Sequence, residues 1–247
     1  HTEFFENVDG IAKAKSEIFA GLEVPSTAIL NRDDRYFDFL TTQLKGKEPT
    51  RVISFGENTN ANALLLDYCL EESGSTVRAK IFGQEYRYRL ALKGKQWAIN
   101  SLAVLCAADA AGIPINEAAA ELCRARPLMG RGEQHEISTK KGKLRLIDES
   151  YNASPVSMHA AITLLGKLDP EGTNRRICVL GDMLELGQNE IKFHTELLDI
   201  IIASNIEMVC TVGPLMSHLY DVLPPHLRGF HSMSSKEMLP LVSKALK

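Results

Sequence analysis

Leu144-Arg145-Leu146-Ile147-Asp148-Glu149-Ser150-Tyr151-Asn152-Ala153-Ser154-Pro155 decides how the second half of this chain is read. A short apolar run ends in an acid, a polar loop follows, and Ser-Pro opens a helix. Ser154 suits the N-cap, where its hydroxyl can accept a first-turn N–H. Pro155 suits the first helical position, whose N–H has no helical partner in any case. The spacing predicts a strand over 144–147 and a helix over 155–168. Asp148, Tyr151 and Asn152 then fall between a strand end and a helix N-terminus, where free N–H groups favour anions and polar ligands. A plain turn rich in turn formers fits the same spacing.

Outward from this stretch the pattern repeats. Apolar runs at Ile177–Leu180 and Met208–Val212 are each followed by a helical pattern, over 189–204 and 214–223. Alternating strand and helix predicts an α/β domain with a parallel, doubly wound sheet. Right-handed crossovers would put the three strand-to-helix loops at one edge, beyond the carboxyl ends of the strands, where such sheets bind ligands. Gly181-Asp182-Met183-Leu184-Glu185-Leu186-Gly187 lies on that edge. Its two acids read either as site groups or as solvated acids of a structural loop. His194, one turn into the next helix, reads first as a packed or surface histidine.

The first half starts with buried parallel strands at Ala28–Leu30 and Val52–Phe55. Strands over 76–82 and 85–92 follow at hairpin spacing around a Gly83-Gln84 turn. Helices follow over 96–111 and 116–124, the second capped by Asn116. Pro127-Leu128-Met129-Gly130-Arg131-Gly132 breaks the pattern. The domain boundary is placed there, giving domains 1–130 and 131–247. Near the start, a helix over 9–22 carries Ile11, Ile18, Phe19 and Leu22, and Lys15 falls on that apolar stripe by its spacing. Burial would lower the pKa of Lys15 and make its amine nucleophilic and open to modification by CO2. A lysine snorkelling its head to the surface is the plainer alternative.

Composition bounds the function classes. The chain of 247 residues is 45% hydrophobic and 24% charged, enough for a packed core. A net charge of -3 gives no electrostatic case for nucleic acid. No apolar run approaches the ~20 residues of a membrane helix. The five cysteines sit among apolar neighbours without a CxxC pair, and are expected to be small buried residues in a reducing cytoplasm. The G-x-x-x-x-G-K-[ST] phosphate loop, the G-x-G-x-x-G fingerprint, the G-x-S-x-G elbow and the H-E-x-x-H zinc pair are all absent.

Several stretches, in order, resemble the Mur ligases. They are His1-Thr2-Glu3 with Gly10–Phe19, Ala28-Ile29-Leu30-Asn31-Arg32-Asp33-Asp34, Gly130-Arg131, Asp148–Met158, and Leu180–Gly187. Tyr151-Asn152-Ala153 with Gly181-Asp182-Met183 resembles the member of the family that adds D-alanyl-D-alanine. The Asp-Asn-Pro-Arg of its diaminopimelate- or lysine-adding sibling is missing. The resemblance implies part of a central ATPase domain, a parallel sheet with a small antiparallel hairpin, followed by a Rossmann-like ligase domain.

It also implies the chemistry. ATP phosphorylates the terminal carboxylate of UDP-N-acetylmuramoyl-tripeptide, and the amine of D-alanyl-D-alanine attacks the acyl phosphate. Positioning and charge neutralisation carry such a reaction. The family's roles transfer as follows. His1 and a carbamylated Lys15 would help hold a second Mg2+. Asn31, Arg131 and Asp148 would contact ATP. Tyr151, Asn152 and Ser154 would lie near the incoming dipeptide. A monomeric cytoplasmic enzyme is expected.

The departures matter too. Of the family's Gly-Arg-His-Asn-x-x-Asn segment, only Gly94 and Asn100 are kept. The region of the phosphate loop would precede His1, so a truncated piece without turnover of its own is expected. Two other readings fit: a folylpolyglutamate synthase-like ligase of the same superfamily, and a non-catalytic α/β module that binds a nucleotide or a partner.

Overall fold

The computed structural model describes residues 5, 7–139, 142–168 and 175–246. They form two compact units, Phe5–Arg126 and the residues from Pro127 onward.

The first unit opens with α1 (Val8–Ser16), capped by the Asn7 side chain, and a 3-10 turn over Glu17–Gly21. A five-stranded mixed sheet follows, in the order β1-β2-β3-β4-β5. Its strands are β1 (Ser26–Asn31), β2 (Thr50–Gly56), β3 (Ala63–Glu71), β4 (Gly74–Ile81) and β5 (Gln84–Leu90). The first three run parallel, and β3, β4 and β5 are antiparallel neighbours. Helices α2 (Phe37–Thr42), α3 (Lys95–Ala110) and α4 (Ile115–Glu121) complete the unit.

Alternation along β4 puts Val77, Ala79 and Ile81 in the core and Arg78 and Lys80 outside. The core closes on Leu102 and Leu105 of α3, both fully buried. Burying each is worth about 1.5–3 kcal/mol.

Two local readings shift here. The hairpin turn is Phe82-Gly83 rather than Gly83-Gln84, because Ile81 pairs with Gln84. Both turn residues have positive φ (48° and 88°), the twist that a two-residue hairpin needs. Helix α4 starts one residue early at Ile115, with Pro114 in the cap position instead of Asn116.

The second unit contains a three-stranded parallel sheet, ordered β10-β9-β8. Its strands are β8 (Ile177–Gly181), β9 (Met208–Val212) and β10 (Arg228–Ser232), the last not expected from the sequence. Helices α5 (Pro155–Lys167), α6 (Glu190–Thr195), α7 (Leu197–Ala203), α8 (Met216–Val222) and α9 (Ser235–Ala245) surround it. Ile162, Met183, Ile201, Val209 and Leu219 form its core.

The expected strand at 144–147 exists, as β7 (Gly142–Asp148), but it does not join this sheet. It pairs antiparallel with β6 (Glu133–Thr139) in a separate two-stranded ribbon. A strand inside a parallel sheet is buried on both faces. Lys143 and Arg145 are exposed charges that could not be buried there. The α/β class and the parallel sheet hold; among the described residues of the second unit, β8, β9 and β10 share one carboxyl edge and β7 does not. No helix among the described residues is long and apolar enough to cross a membrane.

The cysteines divide. Cys106, Cys178 and Cys210 are buried as expected, while Cys69 and Cys123 are exposed. Desolvation pushes the Cys106 thiol up to about 11 and the Cys178 thiol up to about 12, so both stay protonated.

Candidate functional site

In the second unit the stretch before β6 and the loop after β7 are locked together. The Gly132 N–H donates to the Asp148 carbonyl at 2.8 Å, and the Tyr151 N–H donates to the Gly130 carbonyl at 3.0 Å. Gly130 has φ 73°, and a Cβ on it would lie 2.8 Å from the Tyr151 nitrogen. Only glycine allows this approach. Arg131, between the two glycines, lays its guanidinium over the Tyr151 ring, 4.2 Å from the centroid. Three residues expected at a site, Arg131, Asp148 and Tyr151, therefore share one surface.

The charges there are tuned by neighbours. Hydrogen bonds from Ser150, with the His135 charge a smaller contribution, hold the Asp148 carboxyl below its ordinary range. The Ser150 N–H donates to Asp148 Oδ1 at 3.0 Å. Glu149, exposed as a residue, has its carboxyl pushed up by desolvation and then by the Asp148 charge, with Arg131 opposing.

Ser154 caps α5 in a capping box. Its hydroxyl accepts the Ser157 N–H at 3.2 Å, and its own N–H donates to Ser157 Oγ at 2.9 Å. With Pro155 lacking an N–H and that of Ser157 used, the helix N-terminus offers a ligand fewer donors than its sequence suggested. Asn152 is exposed beside it.

On the parallel sheet's carboxyl edge, the acids of the Gly181–Gly187 loop are not simply solvated. Asp182 Oδ1 accepts the Met216 N–H at 2.7 Å and Oδ2 the Leu215 N–H at 3.2 Å. His194 is fully buried: its Nε2 accepts the Met183 N–H at 2.9 Å while Nδ1 faces the Glu190 carbonyl at 2.7 Å. That geometry requires the neutral ring with its proton on Nδ1. His194 is a packed core histidine.

In the first unit, Asn31 ends β1 and its Oδ1 accepts the Asp33 N–H at 2.9 Å. Asp33 crosses to the loop after β2, accepting the N–H groups of Glu57 at 2.7 Å and Asn58 at 2.8 Å. Lys95, at the start of α3, pairs with Glu57 at 2.7 Å, and this hydrogen bond raises its pKa. This Asp33–Glu57–Lys95 group was missed. The acids after Asn31 were its only sequence signal.

Lys15 does not sit on a buried stripe. It is exposed, Ile18 is 74% exposed, and the buried side is Ala12, Ser16 and Phe19. The α-helix ends at Ser16 and continues as 3-10, so a 3.6-residue period cannot be carried through to Leu22. His1 lies outside the described residues. Among the described residues, no three His, Cys, Asp or Glu side chains gather as a metal-holding group.

Residues 1–108 match the Mur ligase middle domain, and residues 130–245 match the glutamate ligase domain of the Mur ligases. The UDP-N-acetylmuramoyl-tripeptide--D-alanyl-D-alanine ligase of Bacillus subtilis is 31% identical over 247 residues, which covers 99% of this chain and 51% of that protein. The protein of that name from Rickettsia prowazekii is 30% identical over 224 residues, 91% of this chain and 48% of its own length. The chain thus spans about half the length of the curated relatives it matches. A crystal structure of MurF from Acinetobacter baumannii shares the fold at a TM-score of 0.83 and 24% identity, over 100% of this chain and 51% of that one. MurF from Thermotoga maritima in complex with ADP shares it at 0.79 and 20% identity, over 100% and 53%.

Proposed function

The chain belongs to the Mur ligase family, with the middle domain followed in sequence by the glutamate ligase domain, and from that premise we propose that it serves the ATP-dependent joining of D-alanyl-D-alanine to UDP-N-acetylmuramoyl-tripeptide. The observation that carries the reading is the exposed Arg131 guanidinium, held over the Tyr151 ring in a loop clamped by two backbone hydrogen bonds. A guanidinium presents a planar fork of donors that matches phosphate oxygens.

ATP supplies the phosphoryl group that activates the tripeptide carboxylate. The residues at hand fit part of that task. Arg131 would offset charge on phosphate oxygens. In the first unit the Asn31 Oδ1 is engaged locally by the Asp33 N–H, and a role for Asn31 at the nucleotide rests on the family resemblance alone. Asp148, held ionised by Ser150, keeps a negative charge beside the same loop. Asn152 would meet the incoming dipeptide, and Ser154, its hydroxyl engaged in the cap, would act by shaping that loop. The described residues offer no cluster that fits Mg2+. The roles of Lys15 and His1 at a second Mg2+ rest on the family resemblance alone, and no step is drawn through the metal. The enzyme is proposed to be monomeric and cytoplasmic.

ADP release tests the proposal, using a protein of the relatives' full length that carries this chain. Turnover should require ATP, the UDP-linked tripeptide and D-alanyl-D-alanine together. Equal turnover with glutamate as the amine would sink this reading in favour of a folylpolyglutamate synthase-like one.

A further inference from the structure

We propose that Tyr151 is a positioning residue for Arg131, holding the guanidinium ready for the phosphate oxygens of ATP, and is not a contact for the dipeptide. The inference rests on the ligase reading above and sharpens one of its residues.

The geometry separates the two roles. The Arg131 guanidinium carbon sits over the ring, 4.2 Å from its centroid. Stacking occupies the face of a guanidinium, while its five donors point outward in the plane. Among the described residues the Arg131 guanidinium donates no hydrogen bond to protein, so a guanidinium held to the ring by its face keeps its fork for phosphate. The ring in turn gives one face to Arg131, and its hydroxyl has no partner among the described residues.

The stack is built in rather than incidental. Both neighbours of Arg131 are tied to the loop that bears the ring: Gly130 accepts from Tyr151, and Gly132 donates to Asp148. Tyr151 is 67% exposed, so burial does not explain an aromatic residue here. A long arginine free on a surface loses side-chain freedom when it meets a ligand. One already stacked loses less.

The test uses the full-length enzyme with separate KM values for ATP and for D-alanyl-D-alanine. Wild-type turnover is measured first. Its absence overturns the ligase reading, and this proposal with it. Given that turnover, Tyr151→Leu should raise the KM for ATP by about twofold to fivefold, the range set by a cation–π contact at an exposed site. The KM for the dipeptide should stay unchanged. Tyr151→Phe, which keeps the ring and drops the hydroxyl, should rescue the ATP value. In an Arg131→Ala background, Tyr151→Leu should add nothing, because residues that act through one another are not additive. Unchanged melting temperatures would exclude a folding effect. Two results overturn only this proposal: a raised dipeptide KM in both Tyr151 variants with ATP unaffected, or a full Tyr151→Leu effect on top of Arg131→Ala.

Discussion

The Asp182 carboxylate accepts the N–H of Met216 at 2.7 Å, stapling the loop after β8 to the first turn of α8, which follows β9. Gly213, with φ 105°, makes room: a Cβ there would lie 2.5 Å from that carboxylate. The first unit repeats the device. Asp33 follows β1 and accepts N–H groups beyond β2, and Gly56, with φ 142°, lies against its carboxylate. Ladder hydrogen bonds end with the strands, so the carboxyl-edge loops of a parallel sheet need other ties. A carboxylate receiving backbone N–H groups is among the stronger ties available.

Asp182→Ala should destabilise the second unit by about 1.5–3 kcal/mol, the worth of hydrogen bonds to a charged group. Gly213→Ala should also destabilise it, because alanine disfavours the backbone conformation and crowds the carboxylate. Chemical denaturation checks both. A stable Gly213→Ala protein would show that the carboxylate can move aside.

His194→Ala should cost about 2–4 kcal/mol, through the cavity and the orphaned Met183 N–H. Its effect on the rate should follow the folded fraction. A fully folded His194→Ala protein with no turnover would instead make this histidine a chemical participant.

The Asp148 carboxyl is held low, so its contribution to stability is present above its unfolded pKa of about 3.9 and is lost as pH falls through the lower folded value. Ser150→Ala removes the largest cause and should raise the Asp148 pKa toward its ordinary value. Carboxyl-carbon NMR titration reads this directly. The accompanying stability change should be small, because solvent screens the group. An unmoved titration would mean that Ser150 is not the cause.

Lys15→Ala in the full-length enzyme should abolish most turnover if a carbamate forms there, and bicarbonate should partly restore a Lys15 variant with a small acidic side chain only if that carbamate acts as an anionic ligand. Unchanged activity in Lys15→Ala would remove the role. The exposure of Lys15 in the first unit means that folding should tolerate the change, so the assay reads function.

Local signals were legible where local physics decides the outcome. Ser154-Pro155 announced a helix start, and the cap forms as its chemistry dictates. The runs at Ile177–Leu180 and Met208–Val212 announced buried strands, and both pair in parallel. The sequence order Gly130-Arg131-Gly132 and Asp148–Tyr151 marked the candidate site, through resemblance as much as through spacing. Lys15 was misread because one period was extended across a change of helix type.

By itself, then, the sequence determined the α/β class, the main parallel strands and the capped helix, and it singled out Arg131, Asp148 and Tyr151 as candidates. Each depends on neighbours within a few positions or on a family motif. Only the tertiary structure decided that β7 belongs to a ribbon, that Asp33 and Asp182 staple neighbouring loops, and that Tyr151 underlies Arg131. The staples and the Arg131–Tyr151 contact join residues some 20–35 positions apart. Strand pairing and carboxylate partners are set by which groups can be buried or satisfied in three dimensions, and a one-dimensional pattern does not carry that information.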